Sequence, residues 1–175
     1  MHKVAIYSDR LMLVGKDSRY SLYEYVPTIC SPLAINFEEM RIVRRFRFLY
    51  ELLKGGYRVY YLADGETIVG YCVVTPGGRR LSVSTKNDIV LGPYFVSPEY
   101  RGKGYAKVLV RMTLQRCSYD YSCAFDWIHK GNISSIKTSE SIGMKVVGHL
   151  DVVGKFRKLV LNDKGNYVIY KYARQ

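Results

Sequence analysis

Apolar residues run through this chain in short blocks and alternations, and three stretches predict helices. Val4 to Tyr7 and Leu11 to Val14 predict two strands joined at Ser8-Asp9-Arg10. Tyr20 to Pro32 is aromatic and fits neither period. Asn36 with Glu39 three residues on predicts a capping box opening a helix that ends at Gly55-Gly56. Phe37, Met40, Val43, Phe46 or Arg47, Tyr50 and Leu53 give that helix an apolar stripe, and Arg41, Arg44, Arg45 and Arg47 mark its other face. Arg58 to Leu62 and Thr67 to Thr75 predict a hairpin around Asp64-Gly65. Asp88 to Val96 predicts a strand in which Gly92-Pro93 forces a bulge or local departure, because proline supplies no ladder N–H. A helix follows from Tyr105 to about Cys117, with Val108, Leu109 and Met112 at helical spacing. Tyr121 to Ile128 predicts a strand, Asn132 to Ile142 a short helix, and Lys145 to Leu150 another strand. Val152 to Leu161 with Tyr167 to Tyr172 predict a closing hairpin turned at Asp163-Lys164-Gly165. No repeat, linker or low-complexity segment interrupts the series, so residues 1–175 are expected to form one domain.

The segment between the Asp88 strand and the Tyr105 helix carries the chemistry. Ser97-Pro98-Glu99-Tyr100-Arg101-Gly102-Lys103-Gly104-Tyr105-Ala106 combines two glycines, two cations and a helix start. Glycines let a ligand approach the backbone, and the first helical turn offers unpaired N–H groups at the positive end of a dipole. Strand, glycine loop and helix together are a setting for a pyrophosphate. The loop is not a Walker loop, since no Gly-Lys precedes Ser or Thr. It is not a dinucleotide fingerprint either, since the third glycine is missing.

These residues resemble the GNAT superfamily of acyl-CoA-dependent N-acetyltransferases. Arg101, Gly104 and Ala106 match that family's Arg/Gln-x-x-Gly-x-Gly/Ala loop position for position. Asn132-Ile133-Ser134-Ser135-Ile136 through Ser141-Ile142-Gly143-Met144 resembles its Asn-x-x-Ala-Ile helix ending in Leu-Gly-Phe. The resemblance implies an α/β (α+β) fold with a mixed, mostly antiparallel central sheet of about seven strands flanked by helices. That sheet would splay between its fourth and fifth strands, with Tyr94, Phe95 and Val96 lining the slot. It implies acetyl-CoA as cosubstrate, held by Arg101, Gly102, Lys103, Gly104, Tyr105 and Ala106, with Asn132 and Ser135 also contributing. An N–H near Phe95 or Val96 would polarise the thioester carbonyl. In one respect the chain departs from the family. Seven residues after Asn132, where many members place a tyrosine that protonates the departing thiolate, this chain has Ser139.

An amine near the lysine reference pKa is mostly protonated at neutral pH, and freeing its lone pair costs on the order of 4 kcal/mol. Asp88, Asp126, His129 and Glu99 are the candidate bases; strand alternation sets Phe125, Trp127 and His129 on one face and Asp126 on the other. A coenzyme thiol with pKa near 8.5 is a tolerable leaving group even without a strong acid. Ser139, Tyr94 or Tyr105 could assist it. A thiol nucleophile at Cys123 near His129 is the weaker alternative to a core cysteine.

With 48% hydrophobic residues the chain can bury a core unaided. Four cysteines without paired spacing and three scattered histidines make no zinc pattern, so no metal is expected. No apolar run reaches spanning length and Met1-His2-Lys3 begins no secretory signal, so a cytoplasmic location with no membrane partner is expected. The net charge of +12 favours anionic partners, coenzyme A among them. A small-molecule amine acceptor is expected, an anionic one if the arginine-bearing helix forms its pocket. Nucleic acid is disfavoured, though left open, by the lack of a long Lys/Arg run. A homodimer is compatible with the reading. A non-catalytic acyl-CoA-binding module and a protein- or ribosome-directed acetyltransferase are the alternatives.

Overall fold

The computed structural model describes residues 2–7, 9–35, 37, 42–154 and 158–174, the side chains at 42–45 and 47 excepted. Its contacts group into two compact units, Met1–Thr75 with Gly92–Cys117, and Pro76–Leu91 with Ser118–Gln175. The fold is mixed α+β, a largely antiparallel sheet flanked by helices, with ten strands among the described residues rather than about seven.

In the first unit β1 (His2–Lys3) pairs with the start of β5 (Thr67–Pro76). Val4–Tyr7, predicted as a strand, is a 3-10 turn, and Arg10 and Leu11 both donate to the Tyr7 carbonyl. The first hairpin instead joins β2 (Met12–Asp17) to β3 (Tyr20–Tyr25), from Met12 opposite Glu24 to Asp17 opposite Tyr20. The first six residues of the Tyr20 to Pro32 stretch, which fitted neither period, are thus a strand, paired along its whole length with β4 (Arg58–Asp64). β4 pairs in turn with β5 around Asp64-Gly65, as the turn residues predict.

The two faces of this sheet bury different partners. Val59, Tyr61 and Ala63 join Leu11, Tyr25, Leu33, Ile35 and Tyr57 in one core cluster, which α1 (Ile42–Leu53) enters through Phe48 stacked on Tyr57 at 5.2 Å. Alternation turns Tyr60 to the opposite face. There its hydroxyl donates to Cys117 Sγ at 3.6 Å, just beyond α2 (Tyr105–Arg116).

The apolar stripe predicted for α1 lies on the wrong side. Phe46, Tyr50 and Leu53 are 67%, 48% and 73% exposed, while Phe48 and Glu51 are buried. The helix carries apolar side chains on both faces, and the Phe48–Tyr57 stack decides which one turns inward. The predicted capping box at Asn36 and Glu39 lies outside the described residues, as do Arg41, Met40 and the side chains of Val43, Arg44, Arg45 and Arg47.

β6 (Asp88–Val96) begins in the second unit and continues in the first from Gly92, which has φ 98°, the break that Gly92-Pro93 predicts. Its first residues pair in parallel with β7 (Cys123–His129), from Asp88 opposite Cys123 to Val90 opposite Phe125. From β7 the second unit continues through β10 (Tyr167–Ala173), β8 (Lys145–Val153) and β9 (Lys158–Leu161), all antiparallel. The predicted closing hairpin is therefore rearranged. Val152 to Leu161 is divided at Gly154, which has φ 71°, and β9 folds back on β8. β10 pairs instead with β7 and β8. The turn before β10 does form, with Gly165 donating to the Asn162 carbonyl at 2.7 Å. Phe125, Leu81, Leu150 and Ile169 form this unit's core, and α3 (Ile133–Ser141) follows β7.

Candidate active site

The loop after β6 is built from its backbone outward. Ser97 donates to the Val69 carbonyl at 2.9 Å, and Pro98–Tyr100 make one 3-10 turn. Gly102 and Gly104 take φ 74° and 81°, a left-handed conformation in which L side chains are strained. A Cβ on either glycine would meet nothing within 4 Å, so open space, not a packed neighbour, lies over both. Gly104 caps α2, and the first helical bond runs from Val108 to the Gly104 carbonyl. The preceding N–H groups of Tyr105, Ala106 and Lys107 have no helical acceptor. Among the described residues no side chain caps them.

Two cations are tethered beside this helix start. Arg101 Nε donates to the Val96 carbonyl at 3.0 Å with its guanidinium over the Phe95 ring, and Lys103 Nζ donates to the Glu99 carbonyl at 3.0 Å. Both residues remain exposed. Val96 itself is buried, Tyr94 is half-buried, and the Phe95 ring stacks on Tyr71 at 5.9 Å within the core.

Tyr105 does something the sequence did not indicate. Its hydroxyl donates to Asp64 Oδ2 at 2.5 Å, while Asp64 Oδ1 pairs with Arg19 Nε at 3.2 Å. The bond to Asp64, reinforced by burial, holds the phenol up at about 12. Tyr105 thus anchors the first turn of α2, its hydroxyl engaged by Asp64. Arg19 lies in the β2–β3 turn and Asp64 ends β4, far apart in the sequence, and no local pattern links either to the loop.

In the second unit the predicted catalytic side chains are engaged with one another and with the backbone. Asp126 and Ser139 are brought together, Ser139 Oγ donating to Asp126 Oδ2 at 3.4 Å, and both are buried. Burial raises the Asp126 carboxyl to about 7, against smaller lowering contributions from the Trp127 N–H and Ser139. Beside it in the sheet, Tyr170 donates to Glu140 Oε1 at 3.1 Å. Asp88 accepts from Thr85 N and Oγ1, each at 2.7 Å, and from Cys123 N at 3.1 Å. These three bonds account for its burial and give it a structural role. Asn132 caps α3 by accepting from Ser135 N at 3.3 Å.

His129 ends β7 exposed, its Nδ1 accepting from Gly131 N at 3.0 Å and its ring edge-on to Tyr167. That bond places the proton of the neutral ring on Nε2. Cys123 and His129 stand at opposite ends of the strand, about 20 Å apart at 3.3 Å per residue, which removes the thiol–imidazole pair. All four cysteines are free, and among the described residues no group of three or more His, Cys, Asp or Glu is placed to hold a metal ion.

A sequence profile of the acetyltransferase (GNAT) family matches residues 26–144, and the chain belongs to that family. No curated protein sequence matches it. Among solved structures it is similar to a spermidine N-acetyltransferase SpeG chimera from Vibrio cholerae and hSSAT, at 14% identity and TM-score 0.58, over 89% of this chain and 96% of that one. It is also similar to the acetyltransferase candidate yncA of Salmonella typhimurium, solved with acetyl-CoA, at 15% identity and TM-score 0.57, over 87% and 93%. A third is the N-acetyltransferase PseH of Campylobacter jejuni in complex with acetyl coenzyme A, at 13% identity and TM-score 0.52, over 76% and 79%. At such identities the likeness shows the fold.

Proposed function

We propose that this chain transfers an acetyl group from acetyl-CoA to a primary amine by direct attack in a ternary complex. The observation that carries the reading is the loop at Gly102 and Gly104, with open space over both glycines beside uncapped N–H groups and the tethered Arg101 and Lys103. Such a start to a helix suits the coenzyme's pyrophosphate. The amine lone pair attacks the thioester carbonyl carbon, the C–S bond breaks, and the thiolate leaves without a covalent enzyme intermediate. Of Asp88, Asp126 and His129, only His129 is exposed. His129 is thus the candidate base for the ammonium proton, its Nδ1 lone pair already accepting from the Gly131 N–H. The two N-acetyltransferases among these similar structures support an amine acceptor, and the charge of +12 favours an amino sugar or other small amine over a polycation. Four cysteines outside any disulfide suit a cytoplasmic setting.

One observation favours a second reading. The residue at the family's general-acid position, Ser139, is 1% exposed and turned onto Asp126, and Tyr105 is engaged by Asp64. A non-catalytic acyl-CoA-binding module would tolerate both. The test is acetyl-CoA-dependent thiol release over amino sugars, nucleotide-linked amino sugars, peptides and polyamines, with no-acceptor controls and a calorimetric titration of acetyl-CoA. Acceptor-dependent release is expected. Tight binding without release selects the module, and absence of binding overturns the loop assignment.

A further inference from the structure

The outward face of α1 presents Phe46, Leu49, Tyr50 and Leu53, which are 67%, 37%, 48% and 73% exposed. At 100° per residue these four positions fall within an arc of about 100°, opposite the buried Phe48 and Glu51. Positions 45 and 47, both arginine, flank the arc on either side in the helix backbone. Lys54 follows the helix, its ammonium over the Tyr50 ring at 6.0 Å. The helix has a single acidic residue, Glu51, and it faces the core. The exposed side of α1 is thus an apolar arc followed by Lys54, with arginine at the two flanking backbone positions, in a chain of net charge +12.

We infer that α1 docks on the surface of an anionic phospholipid bilayer, Phe46 and Leu53 entering the headgroup boundary and the bordering cations meeting lipid phosphates. A helix with these two borders satisfies both at once at such a boundary. A nucleic acid or an acidic peptide would engage the cations and leave the two leucines in water. A second copy fits poorly, because facing arcs would bring together two chains of net charge +12. Four side chains on a helix about 18 Å long also fall short of the roughly 800 Å² per partner of a stable interface. The sequence argued only against a spanning segment, and no helix among the described residues is long and apolar enough to cross a membrane. A surface helix escapes that argument.

The test is co-sedimentation of the full chain with phosphatidylcholine vesicles, with and without phosphatidylglycerol, at low and high salt. Binding is expected only with phosphatidylglycerol and is expected to weaken with salt. The double variant Phe46→Ser/Leu53→Ser should partition about tenfold more weakly or worse, with an unchanged melting temperature because both side chains are exposed. Should that variant unfold, Arg45→Gln/Arg47→Gln replaces it, with the same loss expected. Absence of binding to phosphatidylglycerol vesicles, or equal binding by a folded variant, overturns the proposal. So does a concentration-dependent dimer that Phe46→Ser/Leu53→Ser disperses in sedimentation velocity, which would make a second copy the occupant.

Discussion

The loop at residues 97–106 and the pair formed by β7 and α3 hold the two halves of the chemistry read from the sequence, and they differ in how far their polar groups are bonded. In the loop the backbone N–H groups that open α2 are uncapped, and open space lies over Gly102 and Gly104. In the second region Ser139 is bonded to Asp126 and Asn132 to Ser135, and Asp88 at the neighbouring strand has three donors of its own. Polar groups left unbonded at a surface are available to a ligand, whereas buried groups bonded to each other hold the fold together. Residue type alone does not separate the two cases.

The largest effect expected to sharpen this contrast belongs to Asp126. Its folded pKa of about 7 lies above the ordinary 3.8, so the folded state holds the extra proton between those values. The stability that this proton linkage contributes is complete below pH 3.8 and is lost as pH rises through about 7. Relative to wild type, Asp126→Asn should therefore gain stability with rising pH across that window, by up to about 4 kcal/mol. Denaturant unfolding of both proteins at pH 4.5 and pH 8 checks it, and a difference independent of pH would show that the carboxyl does not titrate while buried.

A smaller effect is expected in the loop. Gly104→Val places a β-branched side chain at φ 81° and in the space above the N–H groups. Acetyl-CoA affinity should fall about tenfold or more, since left-handed strain alone costs on the order of 1–3 kcal/mol. Calorimetric titration reads it, and undiminished affinity in a folded variant would make the loop as closed to ligands as the β7–α3 pair.

Smaller again is Tyr105→Phe, which removes the hydroxyl held by Asp64. A loss of about 1 kcal/mol of stability is expected, with the KM for acetyl-CoA raised about two- to fivefold and kcat retained. A fall in kcat with KM unchanged would return Tyr105 to the chemical step.

Local signals carried much of this reading. Glycine positions, the Asn132 cap and the 2.0 and 3.6 periodicities located β6, the loop, α2 and α3, because each feature is settled within a few residues. Three features escaped the sequence for one shared reason. The α1 stripe could pack on either face until Tyr57 stacked on Phe48. Val152 to Leu161 could pair with Tyr167 to Tyr172 until β10 took its place between β7 and β8. Tyr105, named as a stand-in for the missing acid, is bonded to Asp64 from 41 residues away.

By itself, the sequence determined the family, the order of the strands and helices around β6, and the loop that presents N–H groups beside two cations, since backbone conformation and helix termini follow from near neighbours. Only the tertiary structure decided which face of α1 meets water, which carboxylates are buried and bonded, and which tyrosine is an anchor. Those outcomes depend on desolvation and on partners distant in the chain, and the free energy of a polar group is fixed by the groups packed around it.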